Sequence, residues 1–255
     1  MKIIILAAGQ GTRLRPYTND IPKCMVEIDN KSLIQRQIEV VKSRGINNIY
    51  LVTGYHSEKL KNDCFHQIYN KRYMTTNMVY SLFCAEEFLN DEIIISYGDI
   101  VYSSFILDEL LSSRDDISVV VDKKWQGYWS TRFENYLTDI ESLEISQDGN
   151  IIDIGKNVVD ERKVQGQYIG LLKLSKKGTT IFKQIYKECH KLGKIGKKSI
   201  EEAYMTDFIQ EVIDRGFQVS SVLTKDAWVE IDTISDLKIN LNKKRLAQIS
   251  KELNN

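Results

Sequence analysis

The sequence predicts a doubly wound α/β fold built on a mixed, mainly parallel sheet. Residues 2–6 form an unbroken apolar run, which is typical of a parallel strand covered on both faces. Segments with strand and helix periodicity then alternate through the first half of the chain. A glycine-rich loop at residues 9–11 follows the first strand, at the position where open α/β sheets bind their ligands.

The remaining elements follow from local signals along the chain. Ser32 and Gln35 form a capping-box pair before a helix that ends near Gly45, and turn residues at 147–150 separate two strands. The predicted strands are 2–6, 47–55, 92–99, 117–123, 137–146, 149–155, 167–175, 217–224 and 227–232. The predicted helices are 33–45, 57–68, 78–89, 103–113, 176–192, 199–215 and a C-terminal helix at 233–255.

Composition limits the class of protein. The 255 residues suit one domain spanning residues 1–255, with residues 125–166 as an inserted lid over the sheet edge. The 35 acidic and 35 basic residues balance, so we expect no nucleic-acid partner. No apolar run approaches the roughly 20 residues of a membrane helix, and the four cysteines lack metal-site spacing. We therefore expect a cytoplasmic protein without a membrane partner. Whether it is a monomer or a homodimer stays open.

The glycine-rich loop is a candidate phosphate-binding site. Gly9 and Gly11 let a ligand approach the backbone closely, and Arg13 adds a planar cation that suits phosphate oxygens. The loop is not a Walker A motif, because no Gly-Lys-Ser/Thr follows, and Leu14 replaces the third glycine of a dinucleotide fingerprint. Taken alone, the loop fits a plain turn with solvated arginines equally well.

A longer pattern decides between these alternatives. The stretch from Leu6 reads L-A-A-G-x-G-T-R-L-R-P and is followed by Pro22-Lys23. This pattern resembles the nucleotidyltransferase family that makes nucleotide-sugars and related activated head groups. The resemblance extends through "TGY" at 53–55, "YGD" at 97–99 and "EID" at 230–232, and covers nearly the whole chain.

The resemblance implies a metal site and a reaction. Asp99 and Asp232 each end a predicted strand. Taken singly, Asp99 fits a turn residue and Asp232 fits a helix N-cap. In the family that the sequence resembles, however, the matching aspartates hold Mg²⁺. Lys23 would hold the α-phosphate or the attacking phosphate, and Arg13 would neutralise the leaving pyrophosphate. We therefore predict that Arg13, Lys23, Asp99 and Asp232 are catalytic, with no general base, because a phosphate acceptor is already ionised near neutral pH.

The chain length also points to a branch of the family. Short members without a C-terminal β-helix resemble cytidylyltransferases for small phosphorylated head groups, which makes CTP the expected nucleotide. Asn77 and Ser81 match an N-x-x-Y-S pattern near the base and ribose, although capping and packing explain them too. The implied nucleotide-binding set is Leu6, Ala7, Ala8, Gly9, Gly11, Thr12, Arg13, Lys23, Thr53, Gly54, Tyr55, Asn77, Ser81 and Asp99.

The acceptor is expected to meet the predicted lid. Trp125, Tyr128 and Trp129 would form an aromatic cage for a quaternary ammonium group, although such clusters are more often core. The predicted acceptor-binding residues are Lys123, Trp129, Arg132 and Gln167, with Thr206 and Asp207 as further candidates.

The resemblance favours phosphoglutamine as the small phosphorylated acceptor, with phosphocholine or a phosphonate next, for capsule or cell-surface polysaccharide modification. Two alternatives stay open. One is a uridylyl- or thymidylyltransferase for a sugar 1-phosphate, and the other is a non-catalytic, nucleotide-binding regulatory protein. The presence of Lys23 and both aspartates favours an enzyme.

Overall fold

The computed structural model describes residues 1–61, 63–158 and 160–253. Its strands are β1 Lys2–Ala7, β2 Glu27–Ile28, β3 Lys31–Ser32, β4 Asn48–Thr53, β5 His66–Tyr69, β6 Ile93–Tyr97, β7 Ile100–Tyr102, β8 Ile117–Asp122, β9 Glu141–Ile145, β10 Ile151–Asn157, β11 Gln167–Leu174, β12 Lys194–Ile195, β13 Lys198–Ser199, β14 Ser220–Thr224 and β15 Trp228–Glu230. Its α-helices are α1 Leu33–Ser43, α2 Met78–Phe83, α3 Ser104–Ser112, α4 Trp125–Arg132, α5 Lys176–Leu192, α6 Met205–Asp214, α7 Ile234–Lys238 and α8 Asn240–Glu252.

The described residues confirm the predicted mixed, mainly parallel sheet. Seven strands lie in the order β14-β8-β11-β6-β1-β4-β5. Strand β11 runs antiparallel to both of its neighbours, and the remaining pairs are parallel. β1 lies between β4 and β6. The chain therefore continues from β1 to β4 on one side and later returns to β6 on the other side, so the strand order reverses at β1. Such a reversal opens a crevice at the carboxyl ends of the strands, where ligands bind.

Apolar side chains cover both faces of the sheet. On one face α1, α3 and α4 pack with the two-stranded β7–β15 pair and α8, around residues such as Ile5, Leu107 and Trp228. On the other face α2, α5, α6 and the β9–β10 hairpin pack around residues such as Ile95 and Phe182. The central strands are therefore buried on both sides, as their unalternating sequences require. No helix in the described ranges has the length and apolar character needed to cross a membrane.

Several predicted elements are wrong in type or extent. The predicted helix at 57–68 is a short 3-10 turn at Ser57–Lys59 followed by β5, because pairing along the β4 edge outweighs the local helical pattern. The predicted helix at 199–215 begins only at Met205; Ser199 and Glu202 do bond each other, but within the preceding turn. Residues 62, 159, 254 and 255 of the predicted segments lie outside the described residues.

The C-terminal segment and the predicted lid also differ from expectation. The single helix expected at 233–255 is two helices, because Ile239 has an extended conformation between α7 and α8. Residues 125–166 separate into α4, which is built into the core, and the β9–β10 hairpin, which packs on α6. The first part of the predicted lid is therefore not a flap over the sheet edge.

Gly170 in β11 makes room for Tyr97 at the carboxyl end of β6. Its φ is +84°, and a Cβ there would lie 2.5 Å from the ring of Tyr97 on the neighbouring strand. The register of β11 shifts between Tyr168 and Leu172, so Gly170 lies in an irregular stretch of the strand. The absence of a side chain at residue 170 therefore lets the Tyr97 ring lie close to the backbone of β11.

We expect Gly170→Ala to lower the free energy of unfolding by more than Gly193→Ala. Both positions have positive φ, which costs a non-glycine residue roughly 1–2 kcal/mol. Only Gly170 adds a clash, and overpacking costs about 1–3 kcal/mol more, whereas a Cβ at Gly193 meets nothing within 4 Å. Urea unfolding measures both, and equal losses would show that the Tyr97 ring does not depend on Gly170.

Candidate active site

A cleft of about 300 Å³ opens at the carboxyl ends of β1 and β6. It lies at the strand-order reversal described above, which is the expected place for a ligand. Its lining residues are Leu6, Ala7, Ala8, Gly9, Gly11, Thr12, Arg13, Lys23, Cys24, Tyr73, Asn77, Met78, Ser81, Tyr97, Gly98, Asp99, Glu230 and Asp232. The structure therefore brings together the predicted loop, its lysine and both predicted aspartates.

The loop after β1 depends on one glycine in particular. Gly11 has φ +61°, and a Cβ there would lie 2.9 Å from Cβ of Lys23. The Thr18 hydroxyl donates a hydrogen bond to the Gly11 carbonyl at 2.7 Å, which fixes the turn. The backbone and the lysine stem can therefore pass each other at close range only because residue 11 lacks a side chain.

Lys23 joins the two predicted metal ligands. Its Nζ lies 2.6 Å from Oδ2 of Asp99 and 2.5 Å from Oδ1 of Asp232, and the three side chains are at most 18% exposed. Burial alone would favour a neutral lysine, but the charges of Asp99, Asp232 and Glu230 outweigh burial and raise the pKa of Lys23 to about 12. Arg13 also contacts Asp232, at 2.6 Å, while its side chain is 63% exposed.

Glu230 is a member of the site that the prediction left out. It lies two residues before Asp232 at the end of β15, and its carboxylate lines the same cleft. Burial raises the pKa of Glu230 to about 7, although the nearby Arg132 opposes the shift. The two-residue spacing places Glu230 and Asp232 on one side of an extended segment, and this was the signal that could have identified it.

A buried arginine holds this end of β15. Arg132 from α4 reaches Glu230 Oε2 at 2.5 Å and Asp236 Oδ1 at 2.9 Å, with only 1% of its side chain exposed. Asp236 in turn accepts hydrogen bonds from the backbone N–H groups of Asp232 and Thr233, at 2.9 and 2.8 Å. The position of Asp232 is therefore tied to a charge network that begins on α4.

The predicted base-side residues fall into two groups. Asn77 and Ser81 line the cleft, while the Asn77 side chain also caps α2 by accepting from Met78 N–H at 2.9 Å. The other group does not line the cleft and consists of Thr53, Gly54 and Tyr55. This segment contacts the residue before the glycine loop, because Tyr55 N–H donates to the Ala8 carbonyl at 3.2 Å. Their part in binding a base stays a prediction.

The predicted acceptor residues do not converge on the cleft. Lys123 is exposed, whereas the Trp129 indole is 4% exposed and donates to Asp139, and Arg132 is fully paired as described above. Gln167 is 5% exposed and bonds the backbone of Glu141. The structure therefore offers no site in which these four side chains clamp one ligand.

The expected aromatic cage is core packing. The rings of Trp125, Tyr128 and Trp129 are 2%, 1% and 4% exposed. Tyr128 and Trp129 pack against Trp228, with ring centroids 5.2 and 6.0 Å apart. The prediction of an ammonium cage at this place is wrong, because Trp228 packs against these rings in the space that a ligand would need. Trp228 lies about a hundred residues away in sequence, so its presence here could not be predicted from the local pattern.

Comparison with known proteins agrees with this geometry. Residues 3–156 match the model of the MobA-like NTP transferase domain. The chain belongs to this family. It is a nucleotidyltransferase, as the loop, the lysine and the aspartates of the cleft indicate.

Individual NTP transferases resemble the chain over nearly its full length. It is 40% identical over 254 residues to the CTP:phosphoglutamine cytidylyltransferase of Campylobacter jejuni, covering 95% of this chain and 100% of that protein. The structure of CTP:phosphocholine cytidylyltransferase from Streptococcus pneumoniae superposes with a TM-score of 0.73 at 24% identity, over 95% and 98% of the two chains. An inositol-1-phosphate CTP transferase from T. maritima gives 0.77 at 22% identity, over 98% and 96%. The two structures confirm the fold.

We expect Asp236→Ala to lower the free energy of unfolding by about 3–5 kcal/mol, because it leaves the buried Arg132 short of a partner. Asp236 is 0% exposed, and the substitution also leaves the N–H groups of Asp232 and Thr233 without their acceptor. Asp108→Ala is the matched control. It breaks an exposed pair with Arg44, and such pairs contribute only about 0–1 kcal/mol. Chemical denaturation measures both, and similar small losses would contradict the role given to the network.

Proposed function

We propose that the protein transfers CMP from CTP to a small phosphorylated acceptor, with phosphoglutamine as the best candidate, and releases pyrophosphate. The observation that carries the reaction type is the junction of Lys23 with Asp99 and Asp232 beside the glycine loop. The choice of CTP and phosphoglutamine rests on the 40% identity to the Campylobacter jejuni enzyme. A role in capsule or cell-surface polysaccharide modification is part of the same proposal and rests on the family resemblance of the sequence.

In the proposed reaction an oxygen of the acceptor phosphate attacks the α-phosphorus in line. The new O–P bond forms as the bond from the α-phosphorus to the bridging oxygen of pyrophosphate breaks, and pyrophosphate leaves with those electrons. Lys23 stays protonated, so its Nζ can donate to the α-phosphate once the triphosphate competes with the two carboxylates. The exposed Arg13 guanidinium can receive the leaving pyrophosphate. Catalysis then depends mainly on positioning and on charge neutralisation.

The residues of the cleft fit a magnesium ion. Oδ1 of Asp99 is buried and has no hydrogen-bond partner among the described residues, which is costly unless a cation or donor completes it. The described residues hold no group of three acidic, histidine or cysteine side chains suited to a metal, and Mg²⁺ is usually held by only one or two carboxylates together with substrate phosphates. Asp99 and Asp232 would hold it, and when bound it supplies neutralisation of the triphosphate charge.

A matrix of substrates tests this function. CTP, UTP, dTTP, ATP and GTP are each combined with phosphoglutamine, phosphocholine, aminoethylphosphonate and glucose 1-phosphate in the presence of Mg²⁺. We expect pyrophosphate release to be fastest with CTP and phosphoglutamine, with the product identified by phosphorus NMR. Turnover of UTP or dTTP with glucose 1-phosphate instead would favour a sugar-phosphate nucleotidyltransferase. No pyrophosphate from any pair would overturn the proposal.

Asp232→Asn and Asp99→Asn test the metal assignment. Each keeps the shape of the side chain but removes a charge that faces the triphosphate, so we expect kcat to fall by about 10²–10³-fold. The midpoint of thermal unfolding is expected to change little, because both side chains lie at the cleft edge rather than in the apolar core. Asp148→Asn in the exposed β9–β10 turn is the control and is expected to keep full activity. Near-full turnover of an Asp232→Asn protein in Mg²⁺ would remove Asp232 from the metal site.

A further inference from the structure

The lining of the cleft divides into a charged part and an uncharged part. Its charged side chains come from the loop region and from the ends of β6 and β15, and they are Arg13, Lys23, Asp99, Glu230 and Asp232. The side chains that residues 73–81 bring to the lining are uncharged, and they are Tyr73, Asn77, Met78 and Ser81. A nucleoside triphosphate has the same asymmetry, with its charge on the phosphates and a neutral base. Under the proposed function the base therefore lies against residues 73–81.

Ser81 brings a hydroxyl group to the uncharged part of the lining. The residue lines the cleft although it is only 5% exposed. Its Oγ accepts a hydrogen bond from Nδ2 of Asn70 at 3.0 Å, and Asn70 itself is 0% exposed. In the described part of the chain no acceptor meets the proton of the Ser81 hydroxyl. A buried hydroxyl proton without an acceptor is costly, so a ligand in the cleft would be its natural partner.

The backbone fixes the direction of the hydrogen bond between Asn70 and Ser81. The N–H of Arg72 donates to Oδ1 of Asn70 at 2.9 Å, which leaves Nδ2 facing Ser81 and Thr76. The Thr76 hydroxyl donates to the Arg72 carbonyl at 2.8 Å and accepts from Nδ2 at 3.0 Å. A flipped amide would set its N–H groups against the N–H of Arg72, so Asn70 has one allowed orientation. The Ser81 oxygen therefore accepts from Asn70, and its proton points elsewhere.

The turn that carries Asn70 is anchored beside the glycine loop. The N–H of Asn70 donates to the Thr53 carbonyl at the end of β4, at 2.8 Å. A Cβ at Gly54 would lie 2.5 Å from Cβ of Tyr73 and 2.7 Å from the Ala8 carbonyl oxygen. The absence of a side chain at residue 54 therefore lets the turn pack closely against the loop, which gives Gly54 a role although it does not line the cleft.

We infer that Asn70 is a positioning residue that makes Ser81 donate its proton to the nucleotide base and thereby selects CTP over UTP; this inference rests on the proposed function. N3 of cytosine is a hydrogen-bond acceptor, whereas N3 of uracil carries a hydrogen and donates. A Ser81 hydroxyl that has to donate matches N3 of cytosine, but it sets two hydrogens against each other at N3 of uracil. Discrimination between the two bases then depends on a buried residue that does not itself line the cleft.

Asn70→Asp tests the inference, because a carboxylate can only accept a hydrogen bond. Ser81 would then donate to the new carboxylate and present its lone pairs to the base, which suits the N3–H of uracil. Calorimetric titration with CTP and with UTP, without an acceptor substrate, measures both dissociation constants. We expect the ratio of the UTP constant to the CTP constant to fall by about 10- to 100-fold. Asn47→Asp makes the same change before β4, at the other end of that strand, and is expected to leave the ratio unchanged.

Ser81→Ala is a second variant that places no charge in the buried turn. It removes the donor that cytosine needs and the hydrogen that uracil meets, so we expect CTP to bind about 10-fold more weakly and the ratio of the two constants to approach one. Equal weakening of CTP and UTP by both variants is what a merely structural role predicts. That result, or an unchanged ratio in either variant, would overturn the inference while leaving the proposed function intact. A wild-type protein that binds UTP as tightly as CTP and transfers no CMP would overturn the proposed function and the inference together.

Discussion

The ammonium group of Lys23 between Asp99 and Asp232 is the contact on which the rest of the site depends. It joins segments that are 76 and 209 residues apart in sequence, which are the loop after β1, the end of β6 and the end of β15. The Asp99 and Asp232 carboxylates both contact the Lys23 ammonium group, and without this cation between them they would repel each other. The lysine therefore allows the two carboxylates to lie together, and under the proposed function a triphosphate has to compete with them for it.

The other features of the site serve this contact. Gly11 lets the lysine stem pass close to the loop, and Asp236 fixes the backbone of Asp232 from behind. Arg132 extends this support into the aromatic core, where its guanidinium also lies about 5 Å from the ring centroids of Tyr128 and Phe133. Asp232 is thus held by a buried network of charged and aromatic side chains.

The sequence predicted which residues converge on one cleft where those residues lie in short local patterns. The loop, Lys23 and the two strand-end aspartates could be identified because each lies in a short pattern whose geometry follows from the adjoining strand. Arg132 could not be placed in this way, since its partners Glu230 and Asp236 are about a hundred residues away and their proximity depends on the folded sheet. The same limit applies to β5, whose strand conformation comes from pairing with β4 and not from its own periodicity.

The reversed direction of β11 has a consequence for how the protein can diversify. Because β11 is antiparallel to β6, its first residues lie at the same edge as the last residues of β6. The cleft is thus built where the parallel strands β1 and β6 end, and Tyr168 lies beside this edge where the antiparallel strand β11 begins. These two walls come from separate stretches of the chain, so substitutions in one wall can leave the other wall unchanged. A single scaffold of this kind can give rise to a series of enzymes with one shared chemistry and many different acceptors.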